Sequence, residues 1–367
     1  MVFIMIDASL MKKREELKLR LEVGNYPNIP EKILDGIGWL IRELTQNTKN
    51  LPLWISGLVL FLITLLLGLV LSIILSRTHP FLETIIVLVI IVTTTGFISL
   101  ILGKQFLDSI FAEFRDHIVD SIQSFDDLSD FQNWVSFVCN AKYQLICGAF
   151  YSLLGPGIFI VTLQNSAIGF IGIGPILSII FPWFQGGLFA YYLLAYLPLP
   201  GRLGRYKYKL YKNDPSQSYV IDHLSNILNK GVLTFSLLMA ISTVSLPYMW
   251  RYYSIGVRIF VLLIMWIPII AIFIINQSAL SKIVRLSKKR KLNEIQAKIE
   301  KLEKDDDIVN KETMEAINRL MDYHDRIRDS KNSTLSVRSV INFINSLLLP
   351  LISTLLSRIT EVLGFFK

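Results

Sequence analysis

Glu113, His117 and Asp120 follow one another at spacings of four and three residues. On an α-helix that spacing gathers three side chains on one face, and a mixed carboxylate and imidazole set can hold a divalent cation. A solvated helix face produces the same spacing with no ligand. A second group is basic: Arg202, Arg205, Lys207, Lys209 and Lys212 are interleaved with Tyr206, Tyr208 and Tyr211. Charge beside aromatic rings suits a nucleic-acid strand. Directly after a membrane segment it marks the headgroup layer instead, so anionic lipid is the expected ligand and nucleic acid is not expected as a direct partner. A third group breaks backbone: Gly155-Pro156-Gly157, Gly172 with Gly174-Pro175, then Pro182 followed by Gln185. Irregular backbone at membrane depth survives only when buried in protein or lining a wet cavity, and glycines equally permit close helix packing. Both readings stay open.

Conventional catalytic signatures are missing. No H-E-x-x-H, G-x-S-x-G or G-x-x-x-x-G-K-[ST] occurs, so no enzyme activity and no cofactor are expected, and active transport would need a separate ATPase. A membrane enzyme working through Glu113, His117 and Asp120 is a third reading. Cys139 and Cys147 are too few for a disulfide framework. Thr93-Thr94-Thr95-Gly96-Phe97 shares hydroxyls with potassium-channel filters but lacks their second glycine, which leaves ordinary threonines.

The elements that must position these residues follow from composition. The chain has 367 residues, is 52% apolar and only 18% charged, and has a mean hydropathy of +0.50. Those values exclude an ordinary water-soluble domain, and 22 Phe, 14 Tyr and 6 Trp exclude intrinsic disorder. Six segments contain no Asp, Glu, Lys, Arg or His: Leu53–Leu75, Thr84–Gly103, Ile146–Leu163, Ile168–Leu197, Val232–Trp250 and Ile259–Leu280. Each is near the length a spanning helix needs. Of 37 Lys and Arg residues, only Arg77, Arg251 and Arg258 fall in the connections assigned outside. The positive-inside rule then places both termini in the cytoplasm of a plasma-membrane protein. The expected fold is all-α and polytopic, with six transmembrane helices in three outward-turned hairpins. Ser339–Ser357 is long enough to be a seventh span, but its Asn, Ser and Thr content favours an amphipathic or re-entrant helix within 334–367. Met1–Met11 has no secretory signal, which makes the first span the insertion signal.

Four regions are expected on the cytoplasmic side. Residues 1–50 hold amphipathic helices, the second built on Ile33, Ile37, Leu40, Ile41 and Leu44 with Trp39 beside them. The insert 104–145 continues the second span, with an apolar stripe from Leu107 to Phe125. The basic loop covers 198–231. Residues 282–330 read as a helical hairpin or short coiled coil, with Leu292, Ile295, Ile299 and Leu302 in one arm and Met314, Ile317, Met321 and His324 in the other. The first set serves either the hairpin itself or the docking of a protein partner or second copy.

Within residues 140–250, about a third of the chain, a family resemblance is visible. Its carriers are Asn140-Ala141-Lys142-Tyr143 entering a span, Gly155-Pro156-Gly157 inside it, Asn165 with Gly169 at the next turn, and Phe181-Pro182-Trp183. This stretch resembles the stage II sporulation protein M family of polytopic membrane proteins. The resemblance implies a helical scaffold in a multiprotein complex, without known catalytic residues. It departs where Gln185-Gly186-Gly187 replace the glycine and acidic residue many members carry. Three functions are therefore expected. The first is a non-enzymatic conduit or transport subunit passing a solute or a macromolecule such as DNA or peptide. The others are a scaffold or morphogenesis factor of the sporulation type, and a homo-oligomeric channel.

Overall fold

Long Leu, Ile and Val runs become helices in an apolar setting because each backbone N–H must find its partner within the segment. In the computed structural model, residues 2–22, 28–45, 53–75, 82–164, 173–211, 214–243, 255–305 and 311–330 are described, with isolated residues between 341 and 352. Helices α1 (Val2–Arg20) and α2 (Ile29–Thr45) precede α3 (Leu53–Leu75) and α4 (Leu82–Glu113). A π-turn (Phe114–Ile118) and a 3-10 turn (Val119–Ser121) lead to α5 (Phe125–Val138), α6 (Ala141–Gln164), α7 (Ile173–Tyr196) and the short α8 (Leu199–Leu203). Helices α9 (Tyr219–Thr243), α10 (Ile255–Asp305) and α11 (Lys311–Asp329) complete the order.

Five helices are long and apolar enough to cross a membrane, namely Ile55–Ile74, Ile85–Ser121, Ile176–Leu203, Tyr219–Ile241 and Trp266–Glu303. The remaining expected span falls in α6, whose side chains beyond Gly157 lie outside the described residues. The fifth expected span, Val232–Trp250, begins earlier than its charge-free run. Helix α9 starts at Tyr219 and absorbs the end of the basic loop, while residues 244–250 lie outside the described set.

Helix α7 is the hub, packing against α3, α4 and α6. Both α6 and α7 run without interruption through Pro156 and Pro182, so the expected breaks at these prolines are absent. Close packing replaces them. A Cβ on Gly96 of α4 would meet the Pro182 carbonyl oxygen at 2.6 Å, and one on Gly187 the Cys147 oxygen at 2.9 Å. Gly148 faces Phe184 and Gly155 faces Trp183 just as tightly. Small residues let these helices approach where lipid supplies no hydrophobic drive for association.

One end of the bundle carries a collar built on the stripe past Gly103. Leu107, Ile110, Phe111, Phe114, Ile118 and Ile122 are all buried, as their spacing predicts, whereas Phe125 opens α5 and is exposed. Phe114 lies 4.5 Å from Phe131, ring to ring, and Leu17 of α1 and Leu21 just past its end close the same cluster. A polar node fixes the collar to the bundle. Gln144 Oε1 accepts from Ile29 N at 2.9 Å, its Nε2 donates to the Val138 oxygen at 3.0 Å, and Tyr192 Oη donates to Asn28 Oδ1 at 2.7 Å. Helix α2 lies on α3, with Trp39 and Leu40 left exposed.

Helix α10 runs about 75 Å at 1.5 Å per residue, out of its apolar half into a hairpin with α11. Leu292, Ile295, Ile299 and Leu302 pack there against Ile317, Leu320, Tyr323 and Ile327. The register of the second arm differs from the expected one: Ile317 is shared, but Met314 and Met321 face outward. The buried Lys288 latches the hairpin's base, its Nζ donating to the Ser330 oxygen at 2.7 Å. Lys288→Met should release about 1.5 kcal/mol of that closure, roughly a tenfold larger open fraction. Chymotryptic cleavage at Tyr323 should accelerate accordingly, and an unchanged rate would show that the latch is idle.

Candidate functional site

The chemistry-bearing residues meet where α4 loses its regular winding. A π-turn adds a residue to the turn and a 3-10 turn removes one, so angular phase beyond Glu113 is not that of a straight α-helix. Glu113 and His117 stay together. Asp120 does not join them, and turns instead to α1, where its Oδ2 lies 2.9 Å from Lys18 Nζ. The hydrogen bond to Asp120 raises the Lys18 ammonium above its ordinary range against an opposing desolvation.

The third member of the cluster is His223, on the second turn of α9. Its Nδ1 pairs with Glu113 Oε1, while Lys230 Nζ sits 3.1 Å from Glu113 Oε2. Tyr219, one turn earlier, brings its hydroxyl to His117 Nδ1. The two imidazoles stack at 3.8 Å with 26° between their planes, and the Tyr219 ring lies 4.0 Å from His223. Glu113 and His223 side chains are each 16% exposed. One donor atom from each of Glu113, His117 and His223 lies within 4.8 Å of the others. Pairing across 110 residues has no local periodicity to reveal it. A usable signal did exist, because Tyr219, His223 and Lys230 recur at spacings of four and seven on the helix that leads into the fifth apolar run.

The basic loop folds differently from a stacking surface. An antiparallel bridge pairs Ile122 with Tyr208, and extended backbone sends alternate side chains to opposite faces. Tyr206 and Tyr208 are therefore buried, while Arg205, Lys207 and Lys209 are exposed. Burial, reinforced by the hydrogen bond to Asp130, pushes the Tyr206 hydroxyl well above its ordinary range. Arg202 is tied to the same Asp130 at 3.0 Å. Lys212 lies outside the described residues, as does Gly172. Gly174 is buried at the start of α7, Pro175 lies within that helix, and Gln185 is buried with Oε1 unpartnered. Burial also pushes the Cys139 thiol up to about 12, so it is inert.

A cavity of about 690 Å³ opens among α4, α6, α7, α9 and α10, lined by Thr95, Gly96, Trp183, Phe235, Met239 and Ile272 among others. Pro182 lines it too, whereas Gly155, Pro156 and Gly157 do not. Its wall is mainly apolar, and the Trp183 Nε1 is buried without a partner.

All-helical architecture and five helices of spanning length define a multi-pass helical membrane protein, on length and composition. No protein-family model, curated protein or solved structure matches the chain.

Proposed function

We propose that this chain is a non-enzymatic membrane scaffold subunit, the role implied by its resemblance to the stage II sporulation protein M family. The observation that carries this reading is α10, one helix from Ile255 to Asp305 that joins the apolar bundle to the hairpin. Leu292, Ile295, Ile299 and Leu302 are consumed by the hairpin itself. Met314 and Met321, 45% and 52% exposed, remain for a partner or a second copy, and methionine surfaces adapt readily to what they bind. Basic residues in the collar, Arg205, Lys207 and Lys209 among them, then face the cytoplasm and the anionic headgroups of the plasma membrane. Changing both Met314→Glu and Met321→Glu should lower recovery of stoichiometric partners from native membranes at least about tenfold. An unchanged partner set, read by mass spectrometry, contradicts the docking surface.

A transport subunit served by a separate ATPase is the second reading, and the cavity beside Trp183 favours it. Its mainly apolar wall suits an acyl chain or an apolar solute. A hydrated passenger such as DNA or peptide needs polar lining. Liposomes containing the protein together with an ATPase co-purified from native membranes should move a fluorescent acyl-chain probe between leaflets faster with ATP than the ATPase alone does if this reading holds, and equal rates would remove it.

A further inference from the structure

We infer that Glu113, His117 and His223 bind one divalent transition-metal ion of the zinc class, tying the end of α4 to the start of α9. Two imidazoles with one carboxylate form a borderline-soft donor set, suited to zinc and its neighbours and unlike the all-oxygen sets that hold Mg²⁺ or Ca²⁺. Three donors already lie within 4.8 Å of one another. A tetrahedral ion with bonds of about 2.0–2.2 Å draws its donors closer than that, so the His117 and His223 rings must turn out of their 3.8 Å stack to aim a nitrogen each at the ion. Three protein ligands leave a fourth position for water.

The surroundings supply the orienting contacts that a bound ion needs. Lys230 engages Glu113 through Oε2, while Oε1 is paired with His223 Nδ1 in a contact that a shared ion would replace. Tyr219 meets His117 Nδ1 and orients that ring, as outer-shell partners orient metal-bound imidazoles. The π-turn Phe114–Ile118 contains His117, and single-turn π segments inside helices concentrate at functional sites. This site is independent of the scaffold reading: either can fail alone.

The test uses the full chain in detergent, freed of any affinity tag, stripped with chelator and titrated calorimetrically with Zn²⁺. One zinc per chain is expected, with no measurable heat from Mg²⁺. His117→Ala and His223→Ala should each weaken binding at least about 100-fold, since outer-shell losses alone cost 10- to 100-fold. Glu113→Gln keeps the side chain's shape and should cost at least about tenfold, which covers the case where a histidine variant fails to fold. Asp120→Asn, at the Lys18 pair, should change affinity less than about twofold. Zinc absent from the wild type overturns the site. So does stoichiometric binding that survives in a monodisperse His223→Ala protein, or that disappears in Asp120→Asn.

Discussion

Gly96→Leu should leave the bundle unable to close, whereas Gly157→Leu should be tolerated. At Gly96 even the first side-chain carbon meets the Pro182 carbonyl oxygen at 2.6 Å and its Cα at 2.8 Å. Backbone cannot swing aside as a side chain can, so α4 and α7 must separate along their contact. Overpacking in a tight interior costs about 1–3 kcal/mol, occasionally more, and a backbone obstacle puts this case at about 3 kcal/mol or above. Gly157 is exposed on α6 with nothing within 4 Å of its built Cβ. Leucine there gains about 0.8 kcal/mol of helix propensity. Gly155→Leu should fall between them, because the obstructing atoms belong to the Trp183 ring, which borders the cavity and can turn into it. Thermal unfolding in detergent, followed by loss of monodisperse protein, should rank the three as Gly96, Gly155, Gly157 from worst to mildest. Equal melting of all three would show that helix packing does not govern this bundle.

The second large effect is expected at Gln144. This side chain is fully buried and serves Ile29 N, Val138 O and Tyr192 Oη together. Gln144→Leu strands a buried N–H on α2 and a buried carbonyl at the end of α5. Each orphan costs about 1–3 kcal/mol, so about 3 kcal/mol is expected in total. Tyr192→Phe should cost less, about 1–2 kcal/mol, because it orphans only Asn28 Oδ1 while Gln144 keeps its two backbone partners. Unfolding of the purified protein measures both. A loss in Gln144→Leu no larger than in Tyr192→Phe would mean that the node does not tie the collar to the bundle.

Elements were legible wherever one physical rule acted locally. Charge-free runs located Ile55–Ile74 and Ile85 onward because lipid tolerates neither charge nor unpaired backbone. The stripe from Leu107 to Ile122 was legible because burial of one helix face imposes its period. Legibility ended where a local rule met a distant partner. Glu113 and His117 were readable as neighbours, but choosing between Asp120 and His223 required the π-turn and the approach of α9. Tyr206 and Tyr208 read only as aromatics interleaved with headgroup-facing basic residues, and the single bridge to Ile122 that turns them inward has no local signal. In the hairpin, Ile317 was placed correctly, but Met314 and Met321 lie one position beside a seam that runs through Ile317, Leu320 and Ile327. Two apolar stripes one residue apart are nearly degenerate in hydrophobicity, and only the facing helix chooses between them.

The account rests on one face of the membrane holding the collar, the basic bridge and the hairpin together. Single cysteines introduced as Thr78→Cys, Lys207→Cys and Met321→Cys, with Cys139 and Cys147 replaced by alanine, test this with a membrane-impermeant maleimide. In intact cells only Thr78→Cys should label, and the other two should react once the membrane is permeabilised. Labelling of Lys207→Cys or Met321→Cys from outside would contradict the arrangement.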